Sequence, residues 1–182
     1  MVSKGYFEAT YANFDIAEYV HPELEILGQR RRQLVLFNED PAAAMKLLYP
    51  NAETPTDDVH DRCFRRYLEV RISGSRDITA WQQACGKIQA DIRIRMLSQL
   101  GEIDKAFELL EANFPDFEWA WPFMFYPETR AMRDHPLFWK FAHNIKLDAY
   151  WKESGHWPDF CEDEPLRTPC AVSAERAASN YP

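Results

Sequence analysis

Histidine and cysteine at helical spacing are the first candidates for chemistry in this sequence. His60 and Cys63 stand three residues apart, so on a helix they could share a metal ion or form a thiolate–imidazole pair. No further histidine or cysteine lies nearby, and Cys63 falls on an apolar stripe. We therefore interpret Cys63 as a core residue, because free cysteine is among the most buried residue types.

A second cluster lies near the end of the chain and consists of His156, Asp159, Cys161 and Cys170. Its spacing matches no structural zinc pattern, so we expect neither a metal nor another cofactor. All four cysteines of the chain lack a CxxC arrangement, and we expect them to be reduced thiols. A bridge between Cys161 and Cys170 is sterically possible and remains the alternative for this end of the chain.

Sequence signatures of a catalytic nucleophile are missing. The chain has no GxSxG, no glycine-rich strand-to-helix turn and no HExxH zinc motif. Paired carboxylates such as Asp57 and Asp58 are expected in loops or at helix caps, where exposed carboxylates make poor general acids. We predict a non-catalytic protein and keep an enzyme of unrecognised type as an alternative.

Charge argues against direct nucleic-acid binding. The 182-residue chain has a formal net charge of −8 and a pI near 5.1, which suits a phosphate backbone poorly. Arg62, Arg65 and Arg66 form a basic stripe, but acidic neighbours nearly cancel it. Residues 1–101 carry a net charge of −1 and residues 102–164 a net charge of −8. The C-terminal half is therefore the negative one.

Hydropathy predicts a cytoplasmic protein without a membrane span. No apolar run is long enough to cross a bilayer, and residues 1–20 lack the apolar core of a signal peptide.

Helical periodicity dominates the chain and predicts an all-α fold. Apolar residues recur at helical spacing over 22–48, 57–72, 78–100 and 102–114. Asp57 or Thr56 can cap the second of these segments and Asp77 the third. Glycine at position 101 marks the turn before the fourth.

An aromatic segment, residues 114–127, interrupts this pattern. It holds seven aromatic residues and three prolines, which exclude a regular helix across it. One interpretation is an irregular loop packed over the last helix pair. The other is a surface that recognises a basic-aromatic protein segment, since aromatic residues carry most interface energy. The candidate partner-binding residues are Phe117, Trp119, Trp121, Phe123 and Tyr126.

Residues 96–115, MLSQLGEIDKAFELLEANFP, resemble the second half of a tetratricopeptide repeat (TPR). Gly101 matches the helix–helix turn, Ala106 the small residue at the helix crossing, and Leu110 the large apolar residue one turn later. Pro115 closes the unit. The preceding helix departs from the pattern, because Ala90 stands where the repeat has an aromatic residue.

Residues 128–161, which include RDHPLFWKFAHNIKLDAYWKESGHWPDFC, resemble the closing segment of bacterial TPR proteins and of repeat-bearing signalling and transcription regulators. In such proteins this segment caps the helical array and carries no chemistry. A terminal repeat has an open apolar face, which aromatic residues can close. Here those residues are Trp139, Phe141, Tyr150, Trp151 and Phe160.

These resemblances imply a TPR-like right-handed array of antiparallel helix pairs with C-terminal capping helices. We predict one domain over residues 1–165, with helix pairs in 22–48, 57–100 and 102–114, a cap in 128–161 and a flexible tail in 166–182. The implied function is protein–protein interaction in a bacterial cytoplasm. The alternative is the sensor or dimerisation domain of a transcription or signalling regulator, and the partner would then include a second copy of the chain.

Overall fold

The structure is a computed structural model that describes residues 25–51, 57–114, 122–163 and 169–180. Over these ranges the chain is all-α, as its periodicity predicts, and they contain no β-strand. Two 3₁₀ turns, Phe123–Phe125 and Pro127–Thr129, join the helices. The α-helices are α1 (Glu25–Asn38), α2 (Pro41–Leu48), α3 (Val59–Ser73), α4 (Thr79–Cys85), α5 (Ala90–Gln99), α6 (Ile103–Asn113), α7 (Arg130–Arg133), α8 (Pro136–Asn144), α9 (Leu147–Ser154), α10 (Phe160–Asp163) and α11 (Cys170–Asn180).

The chain divides into two compact units, residues 1–88 and 89–182. In the first unit α1 packs on α2, α2 on α3, and α3 on α4. Asp40 caps α2 through the amides of Ala42 and Ala43. The cap of α3 is Asp58, rather than the predicted Asp57, because its carboxylate accepts the amide of Asp61 at 2.8 Å. Thr56, the other predicted cap, lies outside the described residues.

The predicted helix over residues 78–100 is wrong, because the chain turns between α4 and α5. Gly86 ends α4, the Ile88 amide donates to the Cys85 carbonyl at 3.0 Å, and Gln89 takes an extended conformation. Glycine favours such a break because it stabilises helix poorly. Asp77 still serves the start of α4, since its Oδ1 accepts the Thr79 amide at 2.9 Å. The predicted apolar stripe is buried on both helices and includes Ile78, Trp81, Cys85, Ile88, Ile92 and Met96.

The second unit begins with the helix pair α5–α6. Gly101 has a φ of +77° at the turn, a left-handed conformation that favours glycine. Ala106 and Leu110 are fully buried in α6. These are the positions expected at a TPR helix crossing, and the TPR-like arrangement itself stays a prediction.

Aromatic residues fill the rest of the second unit. The rings of Phe138, Trp139, Phe141, Trp151 and Phe160 are buried, as the capping prediction requires. The prediction that Tyr150 helps to cover the apolar face is wrong, because this residue is 59% exposed. Its neighbour Trp151 takes the inward side of α9 instead.

The predicted flexible tail is corrected as well, since residues 170–180 form helix α11, which packs on α8. Its inward residues are Cys170, Ala174 and Ala177. Such small side chains leave no conspicuous apolar period in the sequence, which explains why the helix was missed. The single-domain extent of 1–165 stays a prediction.

The expectation of reduced thiols is wrong in this structure, because all four cysteines are paired. Cys63 of α3 bonds to Cys85 at the end of α4, and Cys161 of α10 bonds to Cys170 of α11. Cys63 does lie in the core, as expected. The packing of α3 on α4 brings its inward face against that of Cys85, with 4.7 Å between the two Cα atoms, a spacing that a disulfide bridges.

Candidate functional site

The candidate site lies at the aromatic segment, of which the structure describes residue 114 and residues 122–127. Phe117, Trp119 and Trp121 lie outside the described residues. Phe123 is buried, at 6% exposure, and its ring packs against Phe114 with 5.9 Å between centroids. Tyr126 remains 39% exposed. Of the two described candidates, Phe123 therefore belongs to the core and Tyr126 to the surface.

Buried polar side chains hold the turn that contains Phe123 and Tyr126. The Thr129 hydroxyl donates to the Phe123 carbonyl at 2.8 Å and lies 2.9 Å from the Tyr126 carbonyl. Arg133 Nη1 donates to the carbonyls of Met124 (3.0 Å) and Tyr126 (3.1 Å). Buried carbonyls without partners would destabilise the fold, so these bonds stabilise the turn.

An ion pair between α5 and the second 3₁₀ turn completes this support. Arg95 is 7% exposed and Glu128 6% exposed, and the guanidinium of Arg95 is hydrogen-bonded to the carboxylate of Glu128. The Arg95 guanidinium carbon also lies 5.0 Å from the centroid of the Tyr126 ring. This geometry favours a cation–π interaction, and it holds the ring of an exposed tyrosine over a buried charge. We call Arg95, Glu128, Thr129 and Arg133 the turn frame.

Sequence reasoning missed the turn frame. A usable signal existed, because Arg95 stands among the apolar residues Ile94, Met96 and Leu97 of α5. A charged residue in such a run is buried only when it is paired. Its partner Glu128 lies 33 residues away, so the sequence offers no means of naming it.

The first unit carries a separate surface groove, between α1 and α2, with a volume of about 420 Å³. Leu47 is the most exposed large apolar residue on this groove, at 63%. The signal for it in the sequence is the adjacent pair Leu47 and Leu48, which one short helix cannot bury together. The groove is lined by Arg31, Arg32, Val35, Glu39, Leu47 and Leu48.

The histidine and cysteine residues that stand close in sequence belong to no metal-binding group in the described part of the chain. No group of three or more histidine, cysteine, aspartate or glutamate side chains could hold a metal ion there. His60 packs against Phe64, with 6.0 Å between ring centroids, and its Nδ1 lies 3.9 Å from Asp58. Cys161 and Cys170 are bonded to each other. The sulfur atoms therefore act as cross-links.

An aspartate–histidine pair lies between α8 and α9. His143 Nδ1 is 2.8 Å from Asp148 Oδ2, and Asp148 is 6% exposed. Lys146, between them, has a φ of +61°, which is costly for a residue with a side chain. His143 and Asp148 lie on either side of this strained residue, so we assign the pair a structural role in stabilising the turn between α8 and α9.

In the first unit, the side chains whose pKa values are shifted are ones that stabilise the structure. The Asp61 amide lowers the pKa of Asp58, and hydrogen bonds from Thr79 lower the pKa of Asp77. Both carboxylates serve the start of a helix. Burial raises the pKa of Tyr49, whose hydroxyl donates to the Asp61 carbonyl at 3.2 Å. Arg65 lies over the Tyr49 ring, 4.9 Å from its centroid. These contacts join α2 to α3.

Comparison of the chain with protein-family models, curated proteins and solved structures yields no match. Among the described helices, none has the length and apolar character needed to cross a membrane.

Proposed function

We propose that this chain is a TPR-like, non-catalytic protein-interaction module that binds a protein segment at its aromatic segment. The observation that carries the proposal is the turn frame. It fixes one end of that segment from within the core and keeps the Tyr126 ring at the surface, 39% exposed. The proposed contact residues are Tyr126 with Phe117, Trp119 and Trp121.

A rigid base favours binding because ordering a surface on association costs free energy. Phe114 and Phe123 flank the eight residues 115–122, and their ring centroids are 5.9 Å apart, so the residues on either side of this stretch lie together. Tryptophan and tyrosine are the residue types that dominate interface energy. The proximity of Phe114 and Phe123 and the aromatic content together support a recognition role.

Charge supports a basic partner. The second unit, residues 89–182, carries a net charge of −6. Complementary charge accelerates association and makes it salt-dependent. Arginine or lysine beside aromatic residues in the partner would suit both the acidic surroundings and the tryptophan faces.

The groove between α1 and α2 is a second candidate surface, because it combines exposed Leu47 with Arg31 and Arg32 at its edge. Its basic edge would suit a partner helix with acidic residues beside an apolar face. The two surfaces would thus select partners of opposite charge.

A site-specific photocrosslinking experiment tests the proposal. A photoreactive amino acid replaces Trp119 in one sample, Leu47 in a second and Tyr150 in a third. Tyr150 is the control, since it is an exposed aromatic residue of α9, at 59%. We expect one stoichiometric product from position 119 in source lysate. The captured protein, once purified, should bind the full chain saturably, and Trp119→Ala/Trp121→Ala should weaken it at least tenfold.

The other outcomes reassign the function. A product from position 47 alone would move the site to the groove between α1 and α2. A product that contains a second copy of this chain would support the dimerisation domain of a regulator. Equal yields from positions 119 and 150 would contradict a specific aromatic site.

A bacterial cytoplasmic setting is part of the proposal and is supported by the resemblance of residues 128–161 to repeat-bearing regulators. Disulfides are rare in the cytosol, where thiol systems keep cysteines reduced. Alkylation of the protein directly in lysed source cells, followed by mass spectrometry of the Cys63, Cys85, Cys161 and Cys170 peptides, tests this setting. Uniformly oxidised pairs would contradict it.

A further inference from the structure

The two disulfides differ in their exposure to solvent. Cys63 and Cys85 are both 0% exposed, inside the core of the first unit. Cys161 is only partly buried, whereas its partner Cys170 is 4% exposed. Thiol–disulfide exchange requires access to a sulfur atom. Cys161 is the most exposed of the four cysteines, so we expect a reductant in solution to reach its sulfur first.

Helix α11 packs on α8 through small side chains only. It is 11 residues long, and its buried side chains are Cys170, Ala174 and Ala177. Isolated helices shorter than about 12–15 residues are marginal in water, so α11 depends on its attachment to α8. Two alanine methyl groups bury little apolar area. The bond to Cys161 is thus a large part of that attachment.

A surface groove also runs along part of the contact between α8 and α11. The groove has a volume of about 170 Å³, with Trp139 of α8 facing Ala177 and Arg176 of α11. Trp139 is 4% exposed while α11 is in place. Removal of α11 would leave a large aromatic side chain uncovered.

We propose that the Cys161–Cys170 disulfide is a redox latch that holds α11 over α8, and that reduction by a dithiol releases α11 and exposes the Trp139 face of α8. In the first step a thiolate of the dithiol attacks Cys161 Sγ, and Cys170 leaves as a thiolate that takes up a proton. The second thiol of the reductant then attacks the mixed disulfide. Cys161 is released as a thiol, and the reductant ends as a cyclic disulfide.

Hydrogen exchange on the full chain tests the latch, with dithiothreitol as the dithiol. Each sample is quenched and alkylated so that mass spectrometry reports which pair is reduced. We expect Cys161 and Cys170 to be alkylated at a dithiothreitol concentration at least tenfold below that needed for Cys63 and Cys85. At that concentration the amides of 171–180 should exchange at least tenfold faster, while the amides of α3 and α4 should not change.

Three results would overturn the proposal. The first is reduction of Cys63–Cys85 at the same or a lower dithiol concentration. The second is unchanged protection of 171–180 after Cys161 and Cys170 are reduced. The third is a simultaneous loss of protection throughout the chain, which would make the bond a general support of the fold.

The variant Cys161→Ser/Cys170→Ser provides a test that needs no reductant. We expect fast exchange over 171–180 with dithiothreitol absent, and greater binding of the apolar dye ANS than in the oxidised parent chain. Trp139→Ala in this double variant should reverse most of the gain in dye binding. Parental exchange and dye binding in the double variant would show that α11 stays docked without the bond.

Discussion

Both units carry ion pairs at the surface, but among the described residues buried charged side chains are found in the second unit. In the first unit the pairs Arg32–Asp61 and Arg66–Glu69 lie at the surface, with the Arg66 and Glu69 side chains 49% and 42% exposed. In the second unit Arg95 and Glu128 pair inside the core. Exposed pairs contribute little to stability, whereas a buried pair must remain complete to avoid an uncompensated charge.

This difference shows which part of the backbone is held in place by buried polar side chains. In the described part of the first unit, hydrophobic packing and the Cys63–Cys85 bond hold α3 against α4 without a buried charged side chain. The segment from Phe123 to Thr129 forms two short 3₁₀ turns with few backbone hydrogen bonds, and Thr129 and Arg133 add side-chain bonds to its carbonyls. In the second unit the buried side chains of Thr129 and Arg133 thus bind the backbone where it is irregular.

Trp151→Ala should have the largest effect, a loss of about 3–5 kcal/mol of unfolding free energy. The Trp151 ring is 6% exposed and contacts the rings of Phe125, Trp139, Trp157 and Phe160. Urea denaturation of the purified chain measures the loss. A loss below about 1 kcal/mol would contradict the capping role of this residue.

Glu128→Ala should destabilise the protein by about 3 kcal/mol, because it leaves the Arg95 guanidinium buried without its carboxylate. The matched control is Glu69→Ala, which removes the exposed partner of Arg66 and should cost less than about 0.5 kcal/mol. The difference between the two values measures the contrast between the units.

A double substitution distinguishes the cost of an unpaired buried charge from the loss of the hydrogen bonds between Arg95 and Glu128. Arg95→Met/Glu128→Leu removes both charges and should be clearly more stable than Glu128→Ala. Equal losses in the two variants would mean that the hydrogen bonds of Arg95, rather than the orphaned charge, explain the effect.

The helical core was predictable because it follows a period. The stripe through Trp81, Ile88 and Met96 is buried as predicted, although the chain turns at Gly86. Position 101 was recognisable as a turn because glycine alone adopts its positive φ at low cost.

The ion pair, the disulfides and the candidate site could not be predicted in the same way, because they depend on long-range pairing or on weak local signals. Arg95 and Glu128 meet only after the turn at 122–129 has formed. The cysteine spacing has no framework pattern, so the bond at 63–85 emerges from helix packing, whereas the bond at 161–170 is the alternative that the sequence left open. Of the candidate site, Tyr126 is found at the surface and Phe123 in the core, a distinction that their common aromatic character could not reveal.

Ala106→Leu should destabilise the protein by about 1–3 kcal/mol, because Ala106 is 0% exposed where α6 packs on α5. The matched control is Ala112→Leu on the exposed side of the same helix, which should stay within about 0.5 kcal/mol of the parent chain. Thermal unfolding measures both. An unchanged melting temperature for Ala106→Leu would contradict close helix packing at this position.

The smallest predicted effect concerns helix caps. Asp40 and Asp58 cap α2 and α3 with their carboxylates and the His135 ring caps α8, whereas α5, α6 and α9 have no side-chain cap. Loss of an aspartate cap costs about 1 kcal/mol, so Asp58→Ala should destabilise α3 by that amount at neutral pH.

The pH dependence of this contribution follows from the lowered pKa of Asp58 in the folded protein. The ionised carboxylate stabilises the fold above the pKa of the unfolded chain, about 3.9. The contribution is lost as the pH falls through the lower folded-state pKa. Acid should therefore raise amide exchange in α3 before it does so in α5.

Asp58→Asn keeps a cap that does not titrate, so this variant should abolish the acid sensitivity of α3 while retaining most of its stability. Equal acid sensitivity in Asp58→Asn and the parent chain would assign the effect to another carboxylate.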